Sequence, residues 1–222
     1  MQYDWDFSRL IPYSHAFAVG TLVTLELTAV VILLGTVFGI LLGLALNNRV
    51  VRVVVYPVVD VLRALPPLVL ILFMYFFLTR QVIGIAVPEF WVCVIAMALN
   101  LAAFTADLVR AAIQGVPREM KDAGRALGMT SVQITQHIVL PRVVKEIIPG
   151  MTLLYIGMLK VSSLASIINV NEVVNAAQTV IADISRSLEA WTVVSIIYVT
   201  LVVPATYGAR AVERWADRGR YH

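Results

Sequence analysis

Charged residues and cysteines are scarce in this sequence of 222 residues. Only 14% of the residues are charged and 60% are hydrophobic, whereas a soluble domain carries about 25% charged residues. The single cysteine, Cys93, lies in an apolar run, which excludes an intrachain disulfide and a thiolate metal cluster. The histidines are scattered along the chain, so no metal site is predicted. The composition is that of a membrane protein.

Nucleotide-binding and catalytic motifs are also missing. The sequence has no Gly-Lys dipeptide, so it lacks the glycine-rich loop that holds phosphates in many ATPases. No serine or cysteine is accompanied by a histidine and an acid in a catalytic context. We therefore expect that this chain is not an enzyme, that it binds no metal or cofactor of its own, and that nucleic acid is not a partner.

Apolar runs dominate what is present. Crossing the hydrocarbon core of a bilayer takes about 20 apolar residues in a helix. Windows that approach this length are Leu22–Leu46, Ala64–Thr79, Phe90–Val109, Met151–Ile168 and Trp191–Gly208. The second window is short, and residues 50–62 before it are expected to lie near the interface. The predicted fold is an all-α membrane protein with five transmembrane helices.

The distribution of lysine and arginine sets the expected orientation, because positive residues accumulate on the cytoplasmic side. Only Arg9, Arg80 and Arg186 fall on one side of the predicted spans. The other side holds Arg49, Arg52, Arg63, Arg110, Arg118, Lys121, Arg125, Arg142, Lys145, Arg210, Arg214, Arg218 and Arg220. We therefore expect an outer N-terminus and a cytoplasmic C-terminus. The acidic N-terminal residues do not resemble a secretory signal.

The first span carries Gly35, Gly39 and Gly43 at intervals of four residues. Small residues at this spacing line one face of a helix and let a second helix approach closely. This stripe is expected to serve packing.

A polar stretch between the third and fourth spans predicts two short helices. Pro117 suits the first position of a helix and Gly128 suits its end, which gives a helix over Pro117–Leu127. Thr130 and Gln133 have the spacing of a capping box and open a second helix. This second helix is expected to end before Leu140-Pro141.

The first of these helices is amphipathic. Met120, Ala123, Gly124 and Leu127 share one slim apolar face, and charged residues occupy the other. Taken alone, such a pattern is typical of a surface helix that covers its own core.

The same stretch resembles a loop of permease subunits in bacterial ABC importers. Asp122-Ala123-Gly124, then Gly128, then Ile138-Val139-Leu140-Pro141 are similar to the Glu-Ala-Ala…Gly…Ile-x-Leu-Pro pattern of that family. The likeness extends over nearly the whole chain and is strongest in the polar amino-acid uptake branch. Its further motifs are Leu62-Arg63-Ala64-Leu65-Pro66, Ala98-Leu99-Asn100 and Leu159-Lys160-Val161-Ser162-Ser163-Leu164-Ala165-Ser166.

The resemblance implies a single transmembrane permease domain over residues 1–222, of the type I ABC importer permease fold, in the bacterial inner membrane. Residues from about 115 to 149 would form a cytoplasmic coupling loop, and 117–141 would dock on a separate ATPase. The residues assigned to this coupling are Met120, Asp122, Ala123, Gly124, Leu127 and Gly128. Asp122 and Gly124 depart from the usual Glu and Ala, and glycine costs about 1 kcal/mol of helix propensity relative to alanine.

The resemblance also implies partners. These are a dimer of ATP-binding subunits that uses ATP and Mg, a second permease that is an identical or a sister chain, and a periplasmic or lipid-anchored amino-acid-binding protein. Membrane lipid surrounds the complex.

Two groups of polar residues within the spans are candidates for the substrate pathway. Asn100, Phe104 and Asp107 share one face of the third span, which should look into the bundle or an aqueous path rather than at lipid. Asp107 and Arg110 have the spacing of a local ion pair, for which a structural role is favoured. Asn100 and Phe104 are therefore retained as pathway candidates.

The second group is Lys160 with Ser162 and Ser163 in the fourth span. A lysine at this depth either serves function or pairs with a carboxylate of this or a neighbouring subunit, and both alternatives stay open. Permeases of the resembled branch often read Lys-Asp-Thr-Ser here, and this chain has Val161 in place of the acid. The loss of a counter-charge for a cationic substrate favours acidic amino acids such as glutamate and aspartate, with neutral ones such as glutamine as the alternative.

The alternative to an ABC permease is a stand-alone secondary transporter or channel. Five spans without an obvious inverted repeat match that class poorly.

Overall fold

The computed structural model describes residues 3–78 and 86–218, and every regular element in this part of the chain is helical. Short 3-10 helices cover Phe7–Tyr13 and Ser162–Ile168, and a π-helical turn covers Thr135–Val139. The α-helices in chain order are α1 Ser14–Ala45, α2 Arg49–Ala64, α3 Pro67–Phe77, α4 Glu89–Gln114, α5 Arg118–Ala126, α6 Ser131–Ile134, α7 Leu140–Val161, α8 Val173–Ile184 and α9 Ser187–Arg218.

The expected all-α membrane architecture is confirmed. Within the described residues, the helical segments long and apolar enough to span a membrane are Phe7–Ala45, Glu89–Gln114, Ser131–Ile168 and Ser187–Arg214. The α2 and α3 helices pass the same test only as a broken pair, which would make a fifth span. The described residues therefore contain four to five candidate spans.

At three points the ends of the helices differ from the ends of the expected apolar windows. The first helix begins at Ser14, ahead of Leu22, and α3 begins at Pro67, because Pro66-Pro67 separates it from α2. The helical segment that contains the window Met151–Ile168 begins at Ser131. The helices that begin at Ser14 and Ser131 run past the apolar windows, because backbone hydrogen bonding continues where side chains become polar. Thr79, the expected end of the second span, lies outside the described residues.

The chain divides into two compact units. One contains 1–32, 66–97 and 156–206, and the other contains 33–65, 98–155 and 207–222.

The first unit contains a small apolar cluster formed by Leu10, by Phe17 at the start of α1, and by residues of α8 and α9. Its buried members are Leu10, Phe17, Val173, Ala177, Val180, Ala190 and Val194. Beside it, the fully buried carboxylate of Glu189 ties the N-terminal segment to α9. Glu189 accepts hydrogen bonds from the Tyr3 hydroxyl and, at 3.0 Å, from the Asp6 backbone N–H. The Arg186 guanidinium lies 3.3 Å from the same carboxylate.

In the second unit, the end of α1 packs closely on α4 through the glycine stripe. A Cβ placed on Gly35, Gly39 or Gly43 would lie 2.8, 2.5 or 2.7 Å from side-chain atoms of Leu101, Thr105 and Val109, respectively. Such distances are shorter than the non-bonded contacts that real Cβ atoms make, so only glycine fits. The predicted packing role of the stripe is confirmed.

Candidate functional site

The polar face of α4 packs against α2 inside the second unit. Asn100 is 2% exposed, and its Nδ2 donates to the carbonyl of Leu62 at 3.0 Å. The last carbonyls of a helix lack intrahelical donors, so this amide caps the end of α2. The Phe104 ring lies under a guanidinium, with Cζ of Arg63 5.3 Å from the ring centroid. The expectation that this face looks into the bundle is confirmed.

Asp107 is the centre of a charged cluster on the same face. One carboxylate oxygen lies 2.8 Å from Arg63 Nη1, and the other lies 2.7 Å from Arg110 Nη2 and accepts from the Tyr56 hydroxyl at 2.9 Å. The predicted pair with Arg110 is present. Sequence reasoning missed Arg63 and Tyr56, because both lie on α2 and reach Asp107 only through helix packing. The arrangement holds α2 against α4.

A second site lies in the first unit around Lys160. A cavity of about 350 Å³ is lined by Lys160, Ser163, Tyr198, Val199, Val202 and Val203. The exposed Lys160 ammonium forms no ion pair with any carboxylate in the described part of the chain. The wall is apolar apart from the Lys160 amine and the Ser163 hydroxyl, which suits a small ligand with an anionic group.

The two candidate serines differ in position. Ser162 is fully buried, and its hydroxyl donates to the carbonyl of Leu159 at 2.7 Å. Ser163 lines the cavity, and its hydroxyl donates to the carbonyl of Lys160 at 2.9 Å. The structure therefore brings Ser163 to the cavity with Lys160 and leaves Ser162 behind its wall.

A buried carboxylate, Glu172, lies next to this wall and was not singled out from the sequence. It is fully buried at the start of α8, where it accepts from the Asn175 backbone N–H at 2.9 Å. The Thr24 hydroxyl lies 3.5 Å from its other oxygen. Burial raises the pKa of Glu172 to about 7, even though these hydrogen bonds act in the opposite direction. The sequence signal that could have identified Glu172 is its position as a helix N-cap, three residues before the backbone N–H that it accepts from.

Tyr198 lies close both to the Lys160 cavity and to Glu172. Its hydroxyl is buried close to Glu172, Ser162 and Ser163, but it makes no hydrogen bond of acceptable geometry to any of them. The ring lines the Lys160 cavity. The hydroxyl itself is buried away from the cavity, and leaving it without a partner is costly.

The predicted polar helix is observed as α5, with boundaries close to those expected. Pro117 is the N-cap and not the first helical residue, and Gly128 has the left-handed φ of +74° that favours glycine. The capping box of Thr130 and Gln133 is present, with the Thr130 N–H donating to Oε1 of Gln133 at 2.8 Å.

The second helix does not end before Leu140-Pro141, so that expectation was wrong. The π-helical turn over Thr135–Val139 leads directly into α7, and the Leu140 N–H bonds to the carbonyl of Thr135. This wider turn precedes the proline ring and lets the helix continue through Pro141.

One residue of the apolar face of α5 is buried and the other three are exposed. Gly124 is buried, and a Cβ there would lie 2.8 Å from Ile138 Cδ1. Met120, Ala123 and Leu127 face outward, and Leu127 is 82% exposed. Gly124 thus seats the helix on its own chain, and the other three residues leave an apolar surface open. Asp122 is exposed and pairs with Arg125 at 2.8 Å.

Comparison with known proteins identifies relatives along nearly the whole chain. The sequence profile described as "binding-protein-dependent transport system inner membrane component" matches residues 35–218. The arginine transport system permease protein ArtQ of Bacillus subtilis is 30% identical over 212 residues, covering 94% of this chain and 96% of the relative. The glutamine transport system permease protein GlnP of Escherichia coli K12 is 27% identical over 216 residues, covering 96% and 98%.

A solved structure shares the fold. The crystal structure of an amino acid ABC transporter with histidines superposes with a TM-score of 0.87 at 27% identity. The match covers 96% of this chain and 99% of that one.

Proposed function

The chain belongs to the family of binding-protein-dependent transport system inner membrane components, and on this premise we propose that it is the membrane-spanning permease subunit of an ATP-driven importer of polar amino acids. The observation that carries the proposal is the Lys160 cavity, in a chain whose fold matches an amino acid ABC transporter over nearly its full length. ATP would be hydrolysed by a partner dimer. A second permease copy or sister chain and an amino-acid-binding protein would complete the complex.

The proposed substrate is an acidic amino acid. Lys160 provides a positive charge without a partner carboxylate in the described residues, and Ser163 adds a hydroxyl to the same cavity. An ammonium attracts carboxylates through charge-assisted hydrogen bonds and repels a cationic side chain. Asn100 and Phe104 belong to a different cluster. Their proposed part in the pathway is to hold α2 in position, because both contact that helix.

Glutamine is the second candidate substrate. Its support comes from the glutamine permease relative, whose length is matched almost completely. An ammonium that binds the α-carboxylate of any amino acid would serve glutamine equally well, so the distinction lies in whether a second carboxylate improves transport.

We propose that α5 and the turn that follows it transmit the work of the ATPase to the spans. The exposed Met120, Ala123 and Leu127 provide an apolar docking surface, and Gly128 allows the tight turn behind it. Buried Gly124 connects α5 to Ile138 on the following π-helical turn, so movement of the docked helix would pass directly into α7. In the orientation that we propose, α5 and the C-terminus are cytoplasmic and the N-terminus is outside.

The test is uptake by proteoliposomes that contain the permease, its ATPase and its binding protein. Glutamate, aspartate, glutamine and arginine are compared with ATP present and with ATP depleted at constant membrane potential. Uptake that continues without ATP would indicate a secondary transporter or channel instead. Lys160→Met should abolish uptake of the preferred substrate, and Lys160→Arg should retain part of it. If Lys160→Met assembles normally and transports glutamate or aspartate at the parent rate, the substrate assignment fails.

A further inference from the structure

A groove in the second unit is not explained by transport or coupling. It has a volume of about 240 Å³ and lies between α5 and the ends of neighbouring helices. Its polar rim contains Asn47, Lys121, Arg125, Ser131 and Thr135. Among the described residues, no carboxylate lines it. The rim is therefore positively charged.

The floor of the groove is apolar. Ile113, Ile134, Val139 and Val143 line it, and each is 9% exposed or less. A basic rim above an apolar floor matches a molecule that has an anionic head and a hydrocarbon tail. A free phosphate would leave this floor without a partner.

The groove also lies at the ends of apolar helical segments. Leu44 is next to the end of the candidate span Phe7–Ala45, and Ile113 is next to the end of Glu89–Gln114. Ser131 is the first residue of Ser131–Ile168. Three apolar helical segments thus begin or end at one groove.

From this combination of basic rim, apolar floor and position at the ends of apolar helices, we propose that the groove binds the phosphate headgroup of an anionic phospholipid. The Lys121 ammonium is half-buried and forms no ion pair within the described residues. It provides the main charge, because Arg125 shares its own with Asp122 at 2.8 Å. The first part of an acyl chain covers Ile134 and Val143. Basic pockets between spans on the cytoplasmic side are known to select anionic headgroups.

The site would link lipid composition to the coupling region. Lys121 and Arg125 lie on α5 itself, on either side of the buried Gly124. A lipid bound across the rim would join α5 to the end of α1 and to the start of the segment Ser131–Ile168. The binding itself depends only on the groove and does not require a particular substrate.

The experiment measures lipids retained by the purified permease–ATPase complex. The complex is reconstituted in nanodiscs that contain equal amounts of phosphatidylglycerol and phosphatidylcholine, is then released gently, and is analysed by native mass spectrometry. The parent should retain phosphatidylglycerol preferentially. Lys121→Gln should reduce this retention about fivefold, and adding Arg125→Gln should reduce it further.

Two variants make the result specific. Arg118→Gln removes an exposed charge from the same helix outside the groove and should leave retention unchanged, whereas Lys121→Arg keeps the charge and should preserve it. The proposal is overturned if the parent shows no preference between the two lipids. It is also overturned if Lys121→Gln and Arg118→Gln retain equal amounts, or if inorganic phosphate displaces the lipid completely, which would indicate a simple anion site.

Discussion

Oδ2 of Asp107 lies 2.8 Å from Nη1 of Arg63, and this contact joins α4 to the last turn of α2. The same carboxylate also faces Arg110, at 2.7 Å. One acid therefore separates two cations, and its removal would leave both guanidinium groups facing each other at partly buried positions.

Asp107→Asn should destabilise the second unit by about 1–3 kcal/mol, because two charged donors lose their acceptor. Asp60→Asn is the control, since Asp60 is largely exposed and lies 3.7 Å from Arg63. The measurement is the thermal unfolding midpoint in detergent, together with the yield of folded protein. Equal midpoints for the two variants would show that the cluster contributes little to stability.

Gly39→Ala should destabilise the contact between α1 and α4 by about 1–3 kcal/mol, the usual cost of overpacking. The added Cβ would lie 2.5 Å from Thr105 Cβ and 2.9 Å from the carbonyl oxygen of Ala102. Gly208→Ala is the matched control, because nothing lies within 4 Å of a Cβ there. The control should be neutral or stabilising, since alanine favours a helix. A parent-like unfolding midpoint for Gly39→Ala would contradict the close packing.

The stability of the first unit should fall as pH rises through neutrality. Burial raises the pKa of Glu172 from 4.5 to about 7, so folding favours its protonated form. The resulting stabilisation is complete below about pH 4.5, and about 3 kcal/mol is lost by the time the pH has passed about 7. Glu172→Gln resembles the protonated acid and retains an oxygen that can cap α8.

The check is the difference in unfolding midpoint between Glu172→Gln and the parent, measured from about pH 5 to about pH 8. This difference should grow in favour of the variant as pH rises. Glu119→Gln, which changes an exposed acid on α5, should show no such trend. A difference independent of pH would mean that Glu172 does not titrate in this range.

Leu127→Asp should weaken binding of the ATPase while the permease stays folded. Leu127 is 82% exposed, and a substitution at such a position usually changes stability by about 0.5 kcal/mol or less. Arg118→Asp places the same carboxylate on the opposite, charged face of α5. Co-purification of the ATPase with each variant measures the effect. Equal retention in both variants would argue against docking through the apolar face.

Local sequence patterns determined the features that depend on neighbouring residues. The apolar windows indicated the membrane spans, and the four-residue glycine spacing indicated close helix packing. The capping box of Thr130 and Gln133 and the pair of Asp107 and Arg110 follow from three-residue spacing, which helix geometry converts into contact. These predictions held because an α-helix fixes the positions of residues one turn apart.

Tertiary structure alone decided which groups meet across helices. It brought Arg63 to Asp107, directed the Asn100 amide to Leu62, turned Gly124 toward Ile138 and buried Glu172 beside Thr24. It also allowed α7 to continue through Pro141, after a π-helical turn that the sequence pattern did not indicate. Hydropathy defines which segments are helical and apolar. The rotation of each helix and the partners of its polar side chains depend on packing between segments that are distant in the chain.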